Sequence, residues 1–246
     1  MEKEKLVTLQ EMIDQAARIV FFGGAGVSTE SGIPDFRSAQ GIYNTNFPYT
    51  AEEVVSHHFF FQNPDKFYEF YKEKMIFPDA KPNACHIRLA ELEQAGKLTA
   101  IITQNIDGLH QKAGSSNVLE LHGTVHRNFC LKCHKQYDVN KILESGTPHC
   151  SCGGLIKPDV VLYGEQLDQD VLKESIIALQ TADLLIIGGT SLLVYPAAGL
   201  ISYFPPSRPI VLINKGTTGK EGLATLVINE PIGEVFKEIK ISPREG

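Results

Sequence analysis

Four short apolar segments, each followed at once by glycine, amide or hydroxyl residues, constrain the fold of this chain more than any other feature. The segments and the residues after them are Arg18–Phe22 with GGAGVS, Thr99–Thr103 with QNID, Ala182–Ile187 with GGTS, and Pro209–Ile213 with NKG. Amphipathic helical patterns flank them, such as Leu6–Ala17 and the segment from Asp168 to Leu179. Apolar strands that alternate with amphipathic helices predict a parallel sheet covered by helices on both faces.

The polar clusters after these segments point to one ligand site. In parallel sheets of this kind, ligands bind beyond the carboxyl ends of the strands. Because each cluster follows a strand, we expect the clusters to line one shared nucleotide cleft. Further elements predicted from the pattern are extended segments at Asn117–Leu121, Asp159–Tyr163 and Thr225–Ile228, and helices at Pro64–Met75, Pro82–Gly96 and Ile232–Ile239.

Two segments interrupt the alternation of strands and helices. They span about 38–75 and 125–158, and they are richer in aromatic, histidine and cysteine residues than the rest of the chain. We expect these segments to be insertions that form a smaller module beside the main sheet. The chain length of 246 residues suits a main domain with such an insertion.

Composition and charge exclude several classes of protein. Hydrophobic residues make up 43% of the chain and charged residues 21%, which is enough for a buried core. A net charge of −6 argues against a dedicated nucleic-acid binder. The apolar runs are too short for a membrane span, and MEKEKLVTLQEM lacks the apolar core of a signal peptide. We therefore expect a cytoplasmic protein whose cysteines are metal ligands or free thiols.

The first polar cluster contains the pattern Gly24-x-Gly26-x-x-Thr29 directly after an apolar segment. Glycines at this spacing let backbone N–H groups approach a pyrophosphate. The same pattern suits an ordinary strand-to-helix turn, and the loop alone does not separate the two interpretations. A standard dinucleotide site has an acidic residue about 20 residues further on. Residues 42–48 read IYNTNFP, without an acid, so this is not a standard dehydrogenase fingerprint.

Two close cysteine pairs have the spacing of a metal site. The pattern is C-x2-C-x16-C-x-C, formed by Cys130, Cys133, Cys150 and Cys152. Each pair can aim both sulfurs at one ion, and four thiolates fill the tetrahedral shell of a structural zinc ion. His126, His134 or His149 could replace one thiolate, and a redox pair or loose thiols are the alternative. Cys85 lies in a helical pattern and is expected to be a buried thiol.

The residues Gln104–Asp107 and His122 follow two neighbouring predicted strands. Amides and a carboxylate at a strand end can hold a ligand amide or a ribose hydroxyl, although Asn105 and Asp107 could equally cap a helix. His122 ends the next strand in the sequence LHG. A histidine there can act as a general base, because its pKa lies near working pH. A lone histidine is more often structural, but the neighbouring QNID cluster favours the functional interpretation.

Together these motifs resemble the sirtuin family of NAD-dependent protein lysine deacylases. The matching segments are GAGVSTESGIPDFR, TQNIDGLH, LHG, the two cysteine pairs, KPDVVLYGE, GTSLLVYPAA and INKG. They occur in the family's order and cover about residues 20–216. The combination is specific, whereas each motif alone is not, and it is most similar to single-domain bacterial members.

The resemblance implies a Rossmann-like doubly wound parallel sheet, into which a smaller module is inserted. The NAD-binding domain would comprise residues 1–37, 76–124 and 159–246. The small domain would combine a helical insertion at 38–75 with a zinc ribbon at 125–158. One structural Zn²⁺ would bind to the four cysteines of the two pairs.

The resemblance also implies a set of residues that bind NAD, the co-substrate. They are Gly24, Ala25, Gly26, Thr29, Asp35, Phe36, Arg37, Gln104, Asn105, Ile106, Asp107, His122, Gly189, Thr190, Ser191, Asn214 and Ile232. Phe36 would shield the reactive ribose carbon, while Asp35 and Arg37 would order the loop that covers it. Such a lid excludes water from a cationic sugar-like centre. Asn214 would hold the adenosine half where the first crossover has no acid.

The implied reaction transfers the acetyl group of an acetyl-lysine protein or peptide to ADP-ribose. The acetyl oxygen would attack the ribose carbon as nicotinamide leaves. His122 would then act as general base on a ribose hydroxyl, with Asn105 as the second catalytic residue in the nicotinamide pocket. Val160 and Val161 would pair through their backbone with an extended peptide, and they are also ordinary buried strand residues. The products would be free lysine, nicotinamide and O-acetyl-ADP-ribose.

One departure from the family concerns the acyl group. Members that prefer acidic acyl chains carry Tyr-x-x-Arg in the helical insertion, whereas this chain has Tyr71-x-x-Lys74. Lysine keeps the charge but lacks the planar fork that grips a carboxylate. We therefore expect deacetylation, with Tyr71 and Lys74 as substrate residues only if acidic acyl groups are accepted. The interpretation that we favour for this pair is a half-buried helix face with a solvated lysine.

Two other functions are compatible with parts of the sequence. The same scaffold could transfer ADP-ribose to protein, and detection of protein-bound ADP-ribose would separate this reaction from deacetylation. A zinc-ribbon module for nucleic acid has slight support from Arg127, Lys132, His134 and Lys135 around the cysteines. The acidic net charge and the lack of interleaved aromatic and basic residues weigh against it. We expect a monomer with neither a nucleic-acid nor a membrane partner.

Overall fold

The structure, a computed structural model, describes residues 3–36, 38, 41–42 and 47–241. Its strands are β1 (Ile19–Gly23), β2 (Leu98–Thr103), β3 (Val118–Glu120), β4 (Gly123–Cys130), β5 (Gln136–Tyr137), β6 (Ile156–Val160), β7 (Leu184–Gly188), β8 (Ile210–Ile213) and β9 (Leu226–Ile228). Its α-helices are α1 (Lys3–Gln15), α2 (Ala51–Val54), α3 (His57–Gln62), α4 (Pro64–Lys74), α5 (Ala84–Gln94), α6 (Leu109–Lys112), α7 (Val139–Leu143), α8 (Gln169–Thr181) and α9 (Ile232–Lys237). Within these ranges, every helix is too short or too polar to cross a membrane.

A six-stranded parallel sheet forms the centre of the molecule, in the order β3-β2-β1-β7-β8-β9. Every residue of the central strands β1 and β7 is buried. Their continuous apolar sequences suit a sheet that is covered on both faces, because a solvated face would require alternating polar residues. The predicted parallel sheet is therefore confirmed.

Alternate side chains of β1 divide between two layers of core. Phe21 packs with residues of α1, α5 and α9 on one face of the sheet. Val20 and Phe22 point to the other face and pack with residues of α8 and the 3₁₀ helix Ala197–Tyr203. This division follows from the two-residue period of a strand. Helix α8 begins where the sequence predicts, because the Asp168 carboxylate accepts the N–H groups of the first turn.

A smaller antiparallel sheet, in the order β5-β4-β6, lies in the second of the two predicted insertions. It extends beyond the predicted segment 125–158 at both ends, since β4 begins at Gly123 and β6 ends at Val160. The extended segment predicted at Asp159–Tyr163 is therefore a strand only in its first two residues. Beyond Val160 the regular pairing with β4 ends, although the Val161 N–H still bonds to the His122 carbonyl oxygen and Tyr163 forms an isolated bridge with Ser56.

The two insertions share one hydrophobic cluster. Aromatic side chains of α4, among them Phe67, Tyr68 and Phe70, pack against Ile156 of β6 and Cys130 of β4. The Tyr68 hydroxyl also donates a hydrogen bond to the Ile156 carbonyl oxygen. A common core is what a small domain built from both insertions requires, because each domain needs its own apolar interior. The domain bounds themselves stay a prediction.

His86 of α5 and His110 of α6 form a buried imidazole pair with ring centroids 4.7 Å apart. The two side chains are 0% and 1% exposed. Burial lowers the pKa of His86 to about 4, although the Asp107 carboxylate partly opposes this shift. Burial, together with the neighbouring His86, lowers the pKa of His110 well below its ordinary value. The folded protein therefore keeps both rings neutral.

This pair should make the fold sensitive to mild acid. The unfolded chain binds protons on both rings below pH 6.5 while the folded chain does not, so stability rises with pH through this window. For His86 alone we expect a loss on the order of 2 kcal/mol between pH 7 and pH 5. Urea unfolding at both pH values should show a smaller loss in His110→Leu than in the wild type. His58→Gln, at an exposed position, is the control; an equal loss in all three proteins would contradict the assignment.

Candidate active site

A cavity of about 1130 Å³ opens at the carboxyl ends of the central strands. It is lined by nearly all of the residues predicted to bind NAD or the peptide substrate, and these residues come from segments far apart in the sequence. They are Gly24, Ala25, Gly26, Thr29, Asp35, Phe36, Lys74, Gln104, Asn105, Ile106, Asp107, His122, Val160, Val161, Gly189, Thr190, Ser191, Asn214 and Ile232. Arg37 lies outside the described residues. The shared cleft predicted from the four polar clusters is therefore present.

The glycine loop forms two consecutive 3₁₀ turns, Ala25–Val27 and Thr29–Ser31, directly after β1. A standard dinucleotide site begins its first crossover α-helix here. Gly26 donates its N–H to the Gly189 carbonyl oxygen at 2.8 Å. A Cβ atom on Gly26 would lie 2.8 Å from the Gly189 Cα, so the loop can approach β7 this closely only with glycine.

Ser28, which is not among the predicted site residues, connects the glycine loop to the QNID segment. Its hydroxyl donates to Asp107 Oδ2 at 2.6 Å and accepts from the Asn105 amide at 3.1 Å. Ser28 is 1% exposed, so both bonds are shielded from solvent. Asp107 Oδ1 also accepts the Leu109 N–H at 2.9 Å, although the N-cap residue of α6 is Gly108. A serine within a glycine loop carries no local signal for these contacts, because its partners lie about 80 residues away in sequence.

The imidazole of His122 is held in one orientation by the strand end beside it. Its Nδ1 lies 3.0 Å from the Gln104 carbonyl oxygen. Because a carbonyl oxygen only accepts hydrogen bonds, Nδ1 carries the hydrogen and Nε2 keeps its lone pair. Burial lowers the pKa of His122, and the bond to Gln104 partly opposes this shift. The ring is therefore neutral at pH 7, the state that a general base requires.

The backbone beside His122 connects this residue to the wall of the cavity. Val161 donates its N–H to the His122 carbonyl oxygen at 3.0 Å, and Gly123 pairs with Val160. Gly123 has a φ of +73°, and a Cβ atom there would lie 2.0 Å from the Asp159 carbonyl oxygen. Only glycine allows β4 and β6 to meet so closely at this point. Val160 and Val161 are thus fixed at the same end of the cavity as the imidazole.

The far end of the cavity contains the adenosine residues predicted from the sequence. Asn214 follows β8, and its amide donates to the Gly216 carbonyl oxygen at 2.8 Å. Ile232 begins α9 and is 3% exposed, with its side chain packed against Gly188 of β7. Between the two ends, the Gln104 amide donates to the Thr190 hydroxyl at 3.2 Å. The cavity therefore runs along the ends of β2, β1, β7 and β8 in the order of the sheet.

Tyr71 and Lys74 occupy different surroundings. Tyr71 is 0% exposed, and its ring stacks on Phe67 at a centroid distance of 5.2 Å. It belongs to the core of the small sheet and does not line the cavity, so the half-buried face expected for this residue is wrong. Lys74 does line the cavity, and its Nζ lies 2.7 Å from the Glu73 carboxylate.

The segment that contains Asp35 and Phe36 also lines the cavity. Asp35 accepts the Ser38 N–H at 2.7 Å. Phe36 and Ile106 both pack against the core of the small sheet.

The four cysteine sulfurs of the two predicted pairs lie within 4.8 Å of one another. Cys133 Sγ lies 3.5 Å from Cys150 Sγ and 3.4 Å from Cys152 Sγ, which is far longer than a disulfide bond. A tetrahedral zinc ion with Zn–S bonds of about 2.3 Å holds its sulfurs at a comparable separation. His126 contacts a backbone carbonyl oxygen instead, so the residues present fit one zinc ion bound by four thiolates.

Comparison with known proteins agrees with this geometry. The Sir2 family description matches residues 24–196, a range that contains the glycine loop, the QNID segment, His122 and the four cysteines. The chain belongs to the Sir2 family. The matched residues of this Sir2 family protein include the strands from β2 to β7 and the four cysteines, whereas β1, β8 and β9 lie outside them.

Individual relatives match this Sir2 family protein over almost its whole length. A protein of Clostridium perfringens named NAD-dependent protein deacetylase is 58% identical over 96% of this chain and 98% of its own. A solved structure of Sir2 with a p53 peptide and NAD⁺ has a TM-score of 0.82 and 40% identity, and 96% of each chain is covered. A Sir2 variant with a deacetylated p53 peptide and 3'-O-acetyl ADP ribose has a TM-score of 0.87 and 41% identity, covering 95% of this chain and 96% of that one.

Proposed function

We propose that this protein is an NAD-dependent protein lysine deacetylase. It transfers the acetyl group of acetyl-lysine to ADP-ribose and releases nicotinamide and O-acetyl-ADP-ribose. The observation that carries this proposal is the imidazole of His122, which lines the same cavity as the glycine loop and whose Nδ1 is bonded to the Gln104 carbonyl oxygen. Relatives of high identity are named for this activity, and a similar Sir2 structure contains both NAD⁺ and a peptide.

NAD fits the cavity by the chemistry of its lining. The phosphates lie along Gly24, Ala25 and Gly26, where the two glycines leave room for them and Thr29 lies nearby. The N–H groups of Gly24 and Gly26 are themselves donated to the Gly188 and Gly189 carbonyl oxygens. Residues further along hold the two halves of NAD. Gln104 contacts the nicotinamide ribose. The nicotinamide pocket is formed by Asn105, Ile106 and Asp107. The adenosine half is held by Gly189, Thr190, Ser191, Asn214 and Ile232. Ser28 supports the nicotinamide pocket through its bonds to Asn105 and Asp107.

The peptide substrate lies against Val160 and Val161 and adds a strand to this backbone. Its acyl-lysine enters the cavity toward His122, whose carbonyl oxygen accepts the Val161 N–H. Phe36 and Ile106 provide apolar surface at the reacting ribose, where water must be excluded. Asp35 orders the loop that carries Phe36, as its bond to Ser38 suggests. The same role for Arg37 rests on the sequence alone.

His122 acts after the acyl oxygen has displaced nicotinamide from the ribose carbon. Its Nε2 takes the proton of a ribose hydroxyl, which attacks the acyl carbon. The Gln104 carbonyl oxygen stabilises the resulting imidazolium, because it already accepts the hydrogen of Nδ1. Water then completes the release of free lysine. The zinc ion takes no part in these steps, since four thiolates leave it without an open position.

A panel of peptides tests this proposal and the acyl preference together. Acetyl-, propionyl- and succinyl-lysine peptides are incubated with and without NAD, and the products are identified by mass spectrometry. We expect NAD-dependent loss of the acetyl group with one nicotinamide per lysine. Succinyl peptides should react more slowly, because the Lys74 ammonium is paired with Glu73 and lacks the fork of arginine. ADP-ribose attached to protein, without O-acetyl-ADP-ribose, would contradict deacetylation.

The monomeric state and the cytoplasmic location stay predictions from the sequence. The same holds for the absence of a nucleic-acid partner, which the net charge of −6 supports.

A further inference from the structure

Asn83, the residue that caps α5, connects this helix to the glycine loop. Its side-chain amide donates one hydrogen bond to the Val27 carbonyl oxygen at 2.7 Å and another to the Ser31 hydroxyl at 3.0 Å. Its side-chain oxygen accepts the Cys85 N–H at 2.9 Å. Both amide hydrogens and the oxygen are therefore used. This set of contacts requires an amide, because a hydroxyl or a carboxylate cannot supply two donors.

The backbone of Asn83 is held as firmly as its side chain. Its N–H donates to Nδ1 of His86, which completes a capping box in which histidine stands where glutamate is usual. His86 is 0% exposed, and its ring is part of the buried imidazole pair with His110. The amide is therefore presented to the loop from a rigid helix end.

The two acceptors of the amide mark the two ends of a short segment that faces the cavity. Val27 ends the first 3₁₀ turn and Ser31 ends the second. Between them lie Ser28 and Thr29, and Ser28 holds the Asn105 and Asp107 side chains. Asn83 itself does not line the cavity, whereas Ser28 and Thr29 do. The Asn83 amide therefore contacts the loop but not the cavity, and it affects the site only through the loop.

We propose that Asn83 is a positioning residue for NAD, which holds residues 27–31 in the conformation that receives the phosphates and the nicotinamide. The proposal rests on the NAD-dependent function proposed above. Asn83 has no contact with the peptide side of the cavity, which is formed by Val160 and Val161. Its loss therefore affects the dinucleotide and leaves peptide binding unchanged.

Two substitutions separate this role from helix capping. Serine and aspartate are both good caps, so Asn83→Ser and Asn83→Asp preserve the start of α5. Serine is too short to reach the Val27 carbonyl oxygen, and aspartate has the right shape but no N–H groups. The control is Asp138→Ala, which removes the cap of α7, a helix in the small sheet's module whose residues do not line the cavity. Calorimetry with ADP-ribose measures the Kd of the dinucleotide side of the cavity without catalysis. Steady-state kinetics measures kcat and the KM of each substrate.

We expect the Kd for ADP-ribose and the KM for NAD to rise about tenfold in both Asn83 variants, as the loss of two hydrogen bonds implies. The KM for acetylated peptide and kcat at saturating NAD should stay within about twofold of the wild type. Asp138→Ala should leave all four values unchanged. If one Asn83 variant does not fold, the other decides.

Unchanged affinity for ADP-ribose in the Asn83 variants would overturn the proposal, and so would an equal loss in Asp138→Ala. A wild type that binds ADP-ribose but does not deacetylate would contradict the function alone. In that case, the calorimetric comparison still decides the role of Asn83.

Discussion

His122→Ala should reduce deacetylation by about a thousandfold, the size of a general-base contribution, while the folded structure is kept. The imidazole lines the cavity, and its only polar contact among the described residues is the Gln104 carbonyl oxygen. Its removal therefore deletes the proton acceptor without breaking a structural network. The variant should still exchange labelled nicotinamide, because the displacement that precedes the general-base step does not use Nε2. The measurements are kcat for an acetylated peptide and the unfolding temperature.

The control for this prediction is His58→Ala, since His58 is exposed and does not line the cavity. The pH profile offers a second readout. Because burial lowers the pKa of His122, its neutral form persists below pH 6.5, and activity should decline only on the acid side of that value. Turnover by His122→Ala within about tenfold of the wild type would contradict the assignment.

Cys130→Ser should abolish zinc binding and destabilise the protein by an amount on the order of 5 kcal/mol, because metal binding at a structural site is folding free energy. Cys130 is fully buried in the core shared by β4, β6 and α4, so the effect should reach the helical insertion as well. Zinc content by atomic absorption and urea unfolding test this expectation. Ser151→Ala, at an exposed residue between two of the ligands, is the matched control. Full zinc content with unchanged stability in Cys130→Ser would contradict the four-thiolate site.

The parallel sheet and its cleft were predictable because their signals are local. Each strand is a continuous apolar run, and each polar cluster follows a strand directly, so the parallel topology alone brings the clusters together. The cysteine site was predictable for a similar reason. The spacing within each pair, as in Cys130 and Cys133, fixes two ligands on one turn and leaves only the meeting of the pairs to the fold.

Other features depend on contacts that no local pattern contains. Tyr71 was expected on a half-buried helix face, but residues of the second insertion, such as Ile156, pack against its cluster and bury it fully. In the sequence, Ser28 has no feature that separates it from other loop serines, because its role depends on hydrogen bonds with Asp107 and Asn105. Asn83 lies at the start of the helix predicted at Pro82–Gly96, yet its contact with Val27 spans 56 residues and has no local signal. Burial and long-range hydrogen bonds of this kind are set by tertiary packing.

The central claim is that one cleft brings the nicotinamide ribose, the acyl-lysine and His122 together. A crystal structure of the wild-type protein with an acetylated peptide and a carbocyclic NAD analogue, which cannot release nicotinamide, tests it most directly. We expect His122 Nε2 within about 3.2 Å of a ribose hydroxyl, with the acetyl oxygen facing the carbon that bears nicotinamide. The account would be contradicted by an imidazole that lies too far from the ribose to accept its hydroxyl proton. It would also be contradicted by a peptide bound away from Val160 and Val161.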